Sequence, residues 1–396
     1  MKTANLLETG VALLASRLCV LGDDPCGGSE VVLWEDARIL QGAGIPVRVY
    51  ARAARDGAPV SKISLRMPTA QLNTIEYVCA VLRNEPKAPI LAYNEPALAG
   101  AAAGRAVVRF DWATPLPRYW NWPFWLSRFA RADYVFPSES ERQSFLQRYA
   151  RIPSRQTAVI SNAVDLELFK PPERLRRHEP NHSLRVGFAG QWIARKGVDV
   201  LLQAWRALSP SLPNCELYIA GGPAVWKNVT GISGAQELAG RVQDMERNRL
   251  LHCVGALPRS AMPVFWGAVD VAVVPSLYEP FGLVALEALA CGVPVIAAGV
   301  GGLKEILVDG QCGLLVPPGD AAALAQALHR LLADEALRLR LASGARLRAQ
   351  CFSLQRRSHE LLELLLGRAD EGSVTLAERH APARRPQENE ASTLVS

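Results

Sequence analysis

The stretch Glu279-Pro-Phe-Gly-Leu-Val-Ala-Leu-Glu287 decides how this chain is read. It lies between an apolar run, Val269-Asp-Val-Ala-Val-Val-Pro275, and a Gly-Val-Pro turn that leads into a second apolar run, Val295-Ile-Ala-Ala298. Short apolar runs separated by helical segments mark strands buried on both faces of a parallel sheet. The quoted stretch is then a strand-to-helix loop at the carboxyl edge of the sheet, where open α/β folds bind ligands. An ionised carboxylate accepts two hydroxyl hydrogen bonds and so matches a vicinal diol. The first-turn N–H groups of a helix donate to an anion such as a diphosphate. Glu279 and Glu287, with Gly282 between them, therefore suit a nucleotide-sugar. By spacing alone the pair also fits a helix with one glutamate before its first turn and another on its polar face. The position beyond a buried strand favours the ligand.

The same alternation runs through the whole chain and gives an α/β fold of doubly wound, Rossmann-like units. Strands are expected near 18–21, 46–50, 90–93, 106–110 and 134–137, and again near 184–190, 216–220, 251–254, 269–274 and 295–298. The clearest helices are 29–40, 139–149, 198–208, 321–332, 335–349 and 354–366. This divides the 396 residues into a first domain at 1–170, a Pro- and charge-rich linker at 171–183 and a second domain at 184–351. A helix at 352–367 follows, able to pack back on the first domain, and then a polar tail at 368–396 with the composition of a disordered segment.

Bulk properties exclude several classes. The net charge of +6 is spread out, which argues against nucleic acid and permits peripheral contact with anionic lipid. Eight cysteines occur singly, as reduced thiols do in a cytosolic protein, and no apolar stretch reaches membrane-spanning length. All six histidines lie beyond residue 170, no Ser-His-Asp or Cys-His set is legible, and no cluster has metal-ligand spacing.

Three further loops are candidates. Gly22-Asp-Asp-Pro-Cys-Gly27-Gly28-Ser29 resembles a P-loop but has Gly28 where the phosphate-binding lysine should stand, so it is an ordinary turn or a close backbone approach to a ligand. Gly190-Gln191-Trp-Ile-Ala-Arg195-Lys196-Gly197 carries adjacent cations that fit a diphosphate or are simply solvated. Gly299-Val-Gly301-Gly302 lacks the final glycine of a dinucleotide fingerprint.

With these loops in place, the chain resembles the retaining nucleotide-sugar glycosyltransferases of the GT-B fold, specifically glycosyltransferase family 4, over residues 17–366. The matching pieces are Gly27-Gly28-Ser-Glu30, Ile160-Ser-Asn162-Ala-Val164-Asp165, the Gly190-x5-Lys196-Gly197 loop, Val254-Gly255, Pro275-Ser276, Glu279-x7-Glu287 and Gly301-Gly302-x-x-Glu305. The resemblance implies two domains facing a cleft and a hexose moved from a nucleotide diphosphate to a hydroxyl acceptor, with no cofactor beyond the sugar nucleotide. It makes Lys196 and Glu279 catalytic. Lys196 would hold the diphosphate, Glu287 the ribose and Glu279 the hexose, with backbone of Gly282, Leu283 and Val284 on phosphate and sugar. Gly27 and Gly28 would close from the opposite domain, and Val254 would meet the base. Gln191 stands where many members carry arginine, leaving Arg195 as the second cation beside Gly190. Many members also have a histidine on the acceptor side, where this chain reads Arg109-Phe-Asp111-Trp112, so Asp111 and Trp112 are the acceptor candidates. Trp112, Trp120, Trp122 and Trp125 suit either a core plug or an acceptor or membrane-facing surface. The rivals are a GT-B nucleotide-sugar epimerase and a non-catalytic nucleotide-sugar-binding protein.

Overall fold

A computed structural model describes residues 2–15, 20–21, 28–51, 53–54, 64–66, 74–94, 106–110, 133–149, 153–171, 183–212, 214–222, 235–247 and 251–367. Gly27, Asp111, Trp112, Trp120, Trp122, Trp125, most of the linker and the 368–396 tail lie outside the described residues.

In chain order the strands are β1 (Val11–Leu14), β2 (Val20–Leu21), β3 (Val47–Tyr50), β4 (Ala53–Ala54), β5 (Ser64–Arg66), β6 (Ile90–Tyr93), β7 (Ala106–Arg109), β8 (Asp133–Phe136), β9 (Thr157–Val159), β10 (Leu184–Ala189), β11 (Cys215–Ala220), β12 (His252–Gly255), β13 (Val271–Val274), β14 (Val295–Ala298) and β15 (Gly313–Val316). Seven form one sheet in the order β5-β3-β1-β6-β7-β8-β9, six form a second in the order β12-β11-β10-β13-β14-β15, and β2 pairs with β4 apart from both. Every pairing is parallel. Side chains of β13 and β14 are buried throughout, which is why those strands read as unbroken apolar runs. Strand order reverses between β1 and β6 in the first sheet and between β10 and β13 in the second. A crevice opens at each reversal, beyond the carboxyl ends of the strands.

The expected strand at 18–21 is corrected. Of these, Val20–Leu21 are described and are extended, but in the minor pair, and the interior strand of the first sheet that precedes β3 in the chain is Val11–Leu14, itself preceded by helix α1 (Lys2–Thr9). Both segments are apolar, but only the earlier one has extended neighbours on both sides to pair with.

The other helices are α2 (Gly28–Gly42), α3 (Thr74–Asn84), α4 (Glu139–Arg148), α5 (Val198–Leu208), α6 (Ala235–Arg247), α7 (Met262–Gly267), α8 (Leu283–Ala290), α9 (Leu303–Ile306), α10 (Ala321–Ala333), α11 (Glu335–Gln350) and α12 (Leu354–Gly367). On α5 the residues Val198, Leu201, Leu202, Trp205 and Leu208 recur at helical spacing and are all buried against the second sheet. α12 contributes Leu361, Leu364 and Leu365 to the core of the first domain, packed with Val32, Leu33 and Leu40 of α2. It is anchored there by Arg357. Its Nε and Nη2 donate to the two Asp36 oxygens at 2.7 and 2.8 Å, its Nη1 donates to the Ser161 carbonyl at 2.8 Å, and the Tyr93 hydroxyl donates to Asp36 at 2.6 Å. Removing one member of so buried a pair leaves an uncompensated charge.

Two clamps join the domains at the cleft. The Ser138 hydroxyl caps α4 by accepting from Glu141 N and donates to the Pro280 carbonyl at 2.7 Å. The Glu305 carboxylate of the second domain accepts from the backbone N–H groups of Glu139 and Ser140 at 3.0 and 2.8 Å, satisfying donors that a helix start otherwise leaves open.

Replacing Arg357 by alanine is expected to cost about 3–5 kcal/mol by stranding Asp36. The first domain should lose this stability in a urea titration followed by circular dichroism, whereas Arg356→Ala, at an exposed i,i+4 pair with Glu360, should cost under about 1 kcal/mol.

Candidate active site at the cleft

Two loops flank the reversal in the second sheet, one after β10 and one after β13. The first passes through a 3₁₀ turn, Ala194–Lys196, and ends at Gly197 with φ of 66°. A Cβ on Gly197 would fall within the Pro275 carbonyl, so glycine lets this loop lie directly on the end of the β13 strand. The Leu277 N–H donates to the Arg195 carbonyl at 2.9 Å and fixes the two loops side by side. Lys196 Nζ then reaches Glu279 Oε2 at 2.6 Å, and the Ser276 hydroxyl donates to the same oxygen at 3.0 Å. Arg195 donates to the Tyr278 carbonyl at 3.3 Å and lies over the Tyr278 ring. Gly190 and Gln191 begin this loop, partly buried, at the end of β10.

Past Glu279 the chain turns at Gly282, φ 112°, into α8 with no side-chain cap on its first turn. The N–H groups of Leu283 and Val284 therefore open toward the cleft at the positive end of the helix dipole. The loop 301–302 backs this turn: Gly302 N donates to the Glu279 carbonyl at 3.0 Å, and a Cβ on Gly301 would collide with that carbonyl. Across the cleft, Gly28 opens α2, and a Cβ there would touch Leu283. The starts of two helices from two domains thus meet at one point, beside a lysine.

Glu287 lies one turn into α8 and is buried. Burial pushes its carboxyl up to about 7, opposed by the Arg259 guanidinium and raised further by Glu35. The Trp266 indole N–H stands near it without completing a hydrogen bond. Arg259 Nη2 sits 3.8 Å from Glu287 Oε1 and 2.9 Å from Glu35 Oε1, so it touches both domains. Val254, on the edge strand β12, is exposed.

The structure thus brings Lys196, Arg195, Glu279, Gly282, Leu283 and Val284 together, with Gly28 opposite. Glu287 lies further along α8, and the acceptor candidates Asp111 and Trp112 lie outside the described residues. Sequence reading missed Ser276, Arg259, Glu35 and Ser138 as site-forming groups. Arg109, quoted beside the acceptor candidates, is a buried tie whose guanidinium donates to Asn162 and to the Ile160 carbonyl. Among the described residues no helix is long and apolar enough to cross a membrane and no His/Cys/Asp/Glu group could hold a metal ion.

A two-domain GT-B fold with helix starts converging beside a lysine and a carboxylate is the architecture of a glycosyltransferase, and comparison with known proteins agrees. The model of the family Glycosyl transferases group 1 matches residues 171–348. The D-inositol 3-phosphate glycosyltransferase of Stackebrandtia nassauensis is 30% identical over 89% of both chains, and that of Nocardiopsis dassonvillei is 30% identical over 89% of this chain and 92% of its own. Among solved structures, sucrose-phosphate synthase from Thermosynechococcus elongatus superposes with a TM-score of 0.73 at 25% identity, over 90% of this chain and 98% of its own. Anabaena HepE in complex with UDP-glucose gives 0.73 at 21% identity, over 90% of this chain and 100% of its own, and so shares the fold. The chain belongs to the group 1 glycosyl transferases, glycosyltransferase family 4, and is a glycosyltransferase.

The raised Glu287 carboxyl has a sign that can be read in stability. Between about 4.5 and about 7 the folded chain keeps a proton that the unfolded chain has lost, so this group's contribution falls as pH rises through that window. Glu287→Gln removes the effect. Its stability relative to the wild type should rise from near zero below pH 4.5 to a gain of about 3 kcal/mol above pH 7.5, measured by urea melts without nucleotide. A difference that does not vary with pH would show that Glu287 is not held neutral by burial.

Proposed function

We propose that this glycosyltransferase moves a hexose from a nucleoside-diphosphate sugar to a hydroxyl acceptor with retention at the anomeric carbon. The observation that carries the reading is the Lys196–Glu279 pair, 2.6 Å apart, standing where the starts of α2 and α8 meet. The donor has the chemistry to replace that pair: its diphosphate takes the Lys196 ammonium and the open N–H groups of Gly282, Leu283 and Val284, while a hexose hydroxyl takes the Glu279 carboxylate. Glu287 receives the ribose diol and Val254 lies beside the base. Gly27 and Gly28 close over the diphosphate, and Asp111 and Trp112 are assigned to the acceptor.

The chemical demand is to stabilise a departing diphosphate next to an oxocarbenium-like sugar. Preorganised N–H groups, Lys196 and Arg195 meet the first half, and Glu279 lies near the second. The leaving phosphate itself serves as the acceptor's base, consistent with retention. The HepE structures bound to UDP or UDP-glucose make UDP-sugars the first donors to try, and the relatives named for D-inositol 3-phosphate make that polyol phosphate the first acceptor.

A thermal-shift screen of UDP-, GDP- and ADP-sugars identifies the donor, since a ligand at a hundred times its Kd adds about 2.7 kcal/mol. Lys196→Ala should then weaken donor binding by about 1.5–3 kcal/mol, the worth of a hydrogen bond to a charged group, and should also lower the melting temperature of the free protein, because Glu279 is left with Ser276 alone. Unchanged donor affinity and rate in a folded Lys196→Ala protein would sink the assignment. Proton NMR of early product should show the donor's anomeric configuration, and EDTA should leave the rate intact. Donor consumption in the absence of any acceptor would instead indicate an epimerase.

A further inference from the structure

Arg259 is absent from every motif that marks the donor site, yet it stands on the 3₁₀ turn Arg259–Ala261 between buried carboxylates of both domains. We propose that Arg259 is a positioning residue for the donor nucleotide: Glu35 of the acceptor-side domain holds it where it favours the ionised form of Glu287 and leaves that carboxylate's lone pairs free to accept a ribose diol. The inference rests on the reading of Glu287 as the ribose acceptor and adds the groups that make it one.

Geometry supports each part. Arg259 Nη2 forms its short contact with Glu35, at 2.9 Å, and stays 3.8 Å from Glu287. At that distance it lends charge across a buried, weakly screened gap without occupying the Glu287 lone pairs that a diol needs. A bidentate arginine on Glu287 would block those lone pairs, and no arginine at all would leave the carboxyl protonated at neutral pH, when it donates one bond and loses acceptor capacity. Glu35 is itself buried, and among the described residues its Oε2 has no hydrogen-bond partner while its Oε1 accepts from Arg259. The guanidinium is also seated over the Phe169 ring, with its centre 5.5 Å from the centroid.

The surroundings of Glu287 are mixed in sign. Arg259 faces it from the 3₁₀ turn, Glu35 from α2, Trp266 from α7 and Cys291 from the residue that caps the end of α8. Asp36 and Arg357 face Glu35 from α2 and α12, and Arg346 of α11 is engaged with the carbonyls of Phe169 and Ala290. Burial raises both Glu35 and Glu287, and Arg259 is the leading charge that opposes the rise at each.

Opposite pH shifts from the two partners test this. UDP, GDP and ADP are titrated against the full-length protein by calorimetry from pH 5.5 to 9, with 2′,3′-dideoxy forms as controls that lack the diol. Wild-type affinity should fall as pH drops through about 7, the value at which the unliganded Glu287 takes up a proton. Arg259→Gln should move that midpoint up by about one pH unit or more, and Arg259→Lys should keep it near wild type. Glu35→Gln should move it down, because a like charge is gone, and should also lower the high-pH affinity as Arg259 turns onto Glu287. The dideoxy nucleotides keep the terminal phosphate, whose own last proton is lost at about pH 6, so they should show that phosphate titration alone, at the same pH in every variant. A purely structural role would weaken binding equally at all pH values. Nucleotide binding with midpoints unmoved, or moved in one direction by both Arg259→Gln and Glu35→Gln, overturns the inference and leaves the donor site standing. Failure of the wild type to bind any of the three nucleotides overturns the donor reading and this inference with it.

Discussion

The site depends on main chains pressed against each other at the carboxyl edge of the second sheet. Gly197 rests on the Pro275 carbonyl and Gly301 on the Glu279 carbonyl, both at positive φ and both where a Cβ would collide. Because the contacts are backbone to backbone, the separation of the Lys196 and Glu279 loops is set by peptide geometry and strand pairing, with little left to rotamer choice. Lys196 and Glu279 therefore meet without a search, and the ordering entropy of their loops is met during folding and not during binding. Any side chain at either glycine would move a loop by an ångström or more, the scale on which positioning effects on rate become large.

Buried charge around α2 follows a different logic. Asp36 and Arg357 are almost fully buried, matched in geometry and completed by Tyr93 and Ser161, the conditions under which a buried ion pair offsets its own desolvation. Glu35 and Glu287 are not matched in this way, and their raised pKa values record an incomplete compensation. The first cluster locks α12 to α2. The second leaves polar capacity open at the cleft, and incomplete compensation of that kind tends to mark functional sites.

Much of the second domain was legible in the sequence because its signals are local. β13, β14 and α5 are unbroken runs or clean helical stripes, and their predicted positions match the observed ones closely. β1 was not legible: Val11–Leu14 and the residues near 18–21 are comparably apolar, and only pairing with β3 and β6, distant in sequence, separates them. β15 was missed because it begins with glycine and is bracketed by turn residues, Gly310 before it and Pro317, Pro318 and Gly319 after it. At the site, the loops carrying Lys196 and Glu279 announced themselves through glycines and charges, but their direct contact is a tertiary fact. Arg259 and Glu35 carried no signal at all, since an arginine after a strand and a glutamate in an amphipathic helix are ordinary until the two domains meet.

The return of α12 to the first domain also orders events on the ribosome. The core around β1 and α2 lacks Leu361, Leu364 and Leu365 until translation has passed residue 367, so its apolar face waits while the core of the second domain, which closes with Phe352, is already complete. Domains usually finish folding from the N-terminus onward. Here the N-terminal one finishes last, and a chain stalled or truncated before α12 would present an open hydrophobic groove on α2 with Asp36 at its floor, a surface that chaperones and proteases recognise.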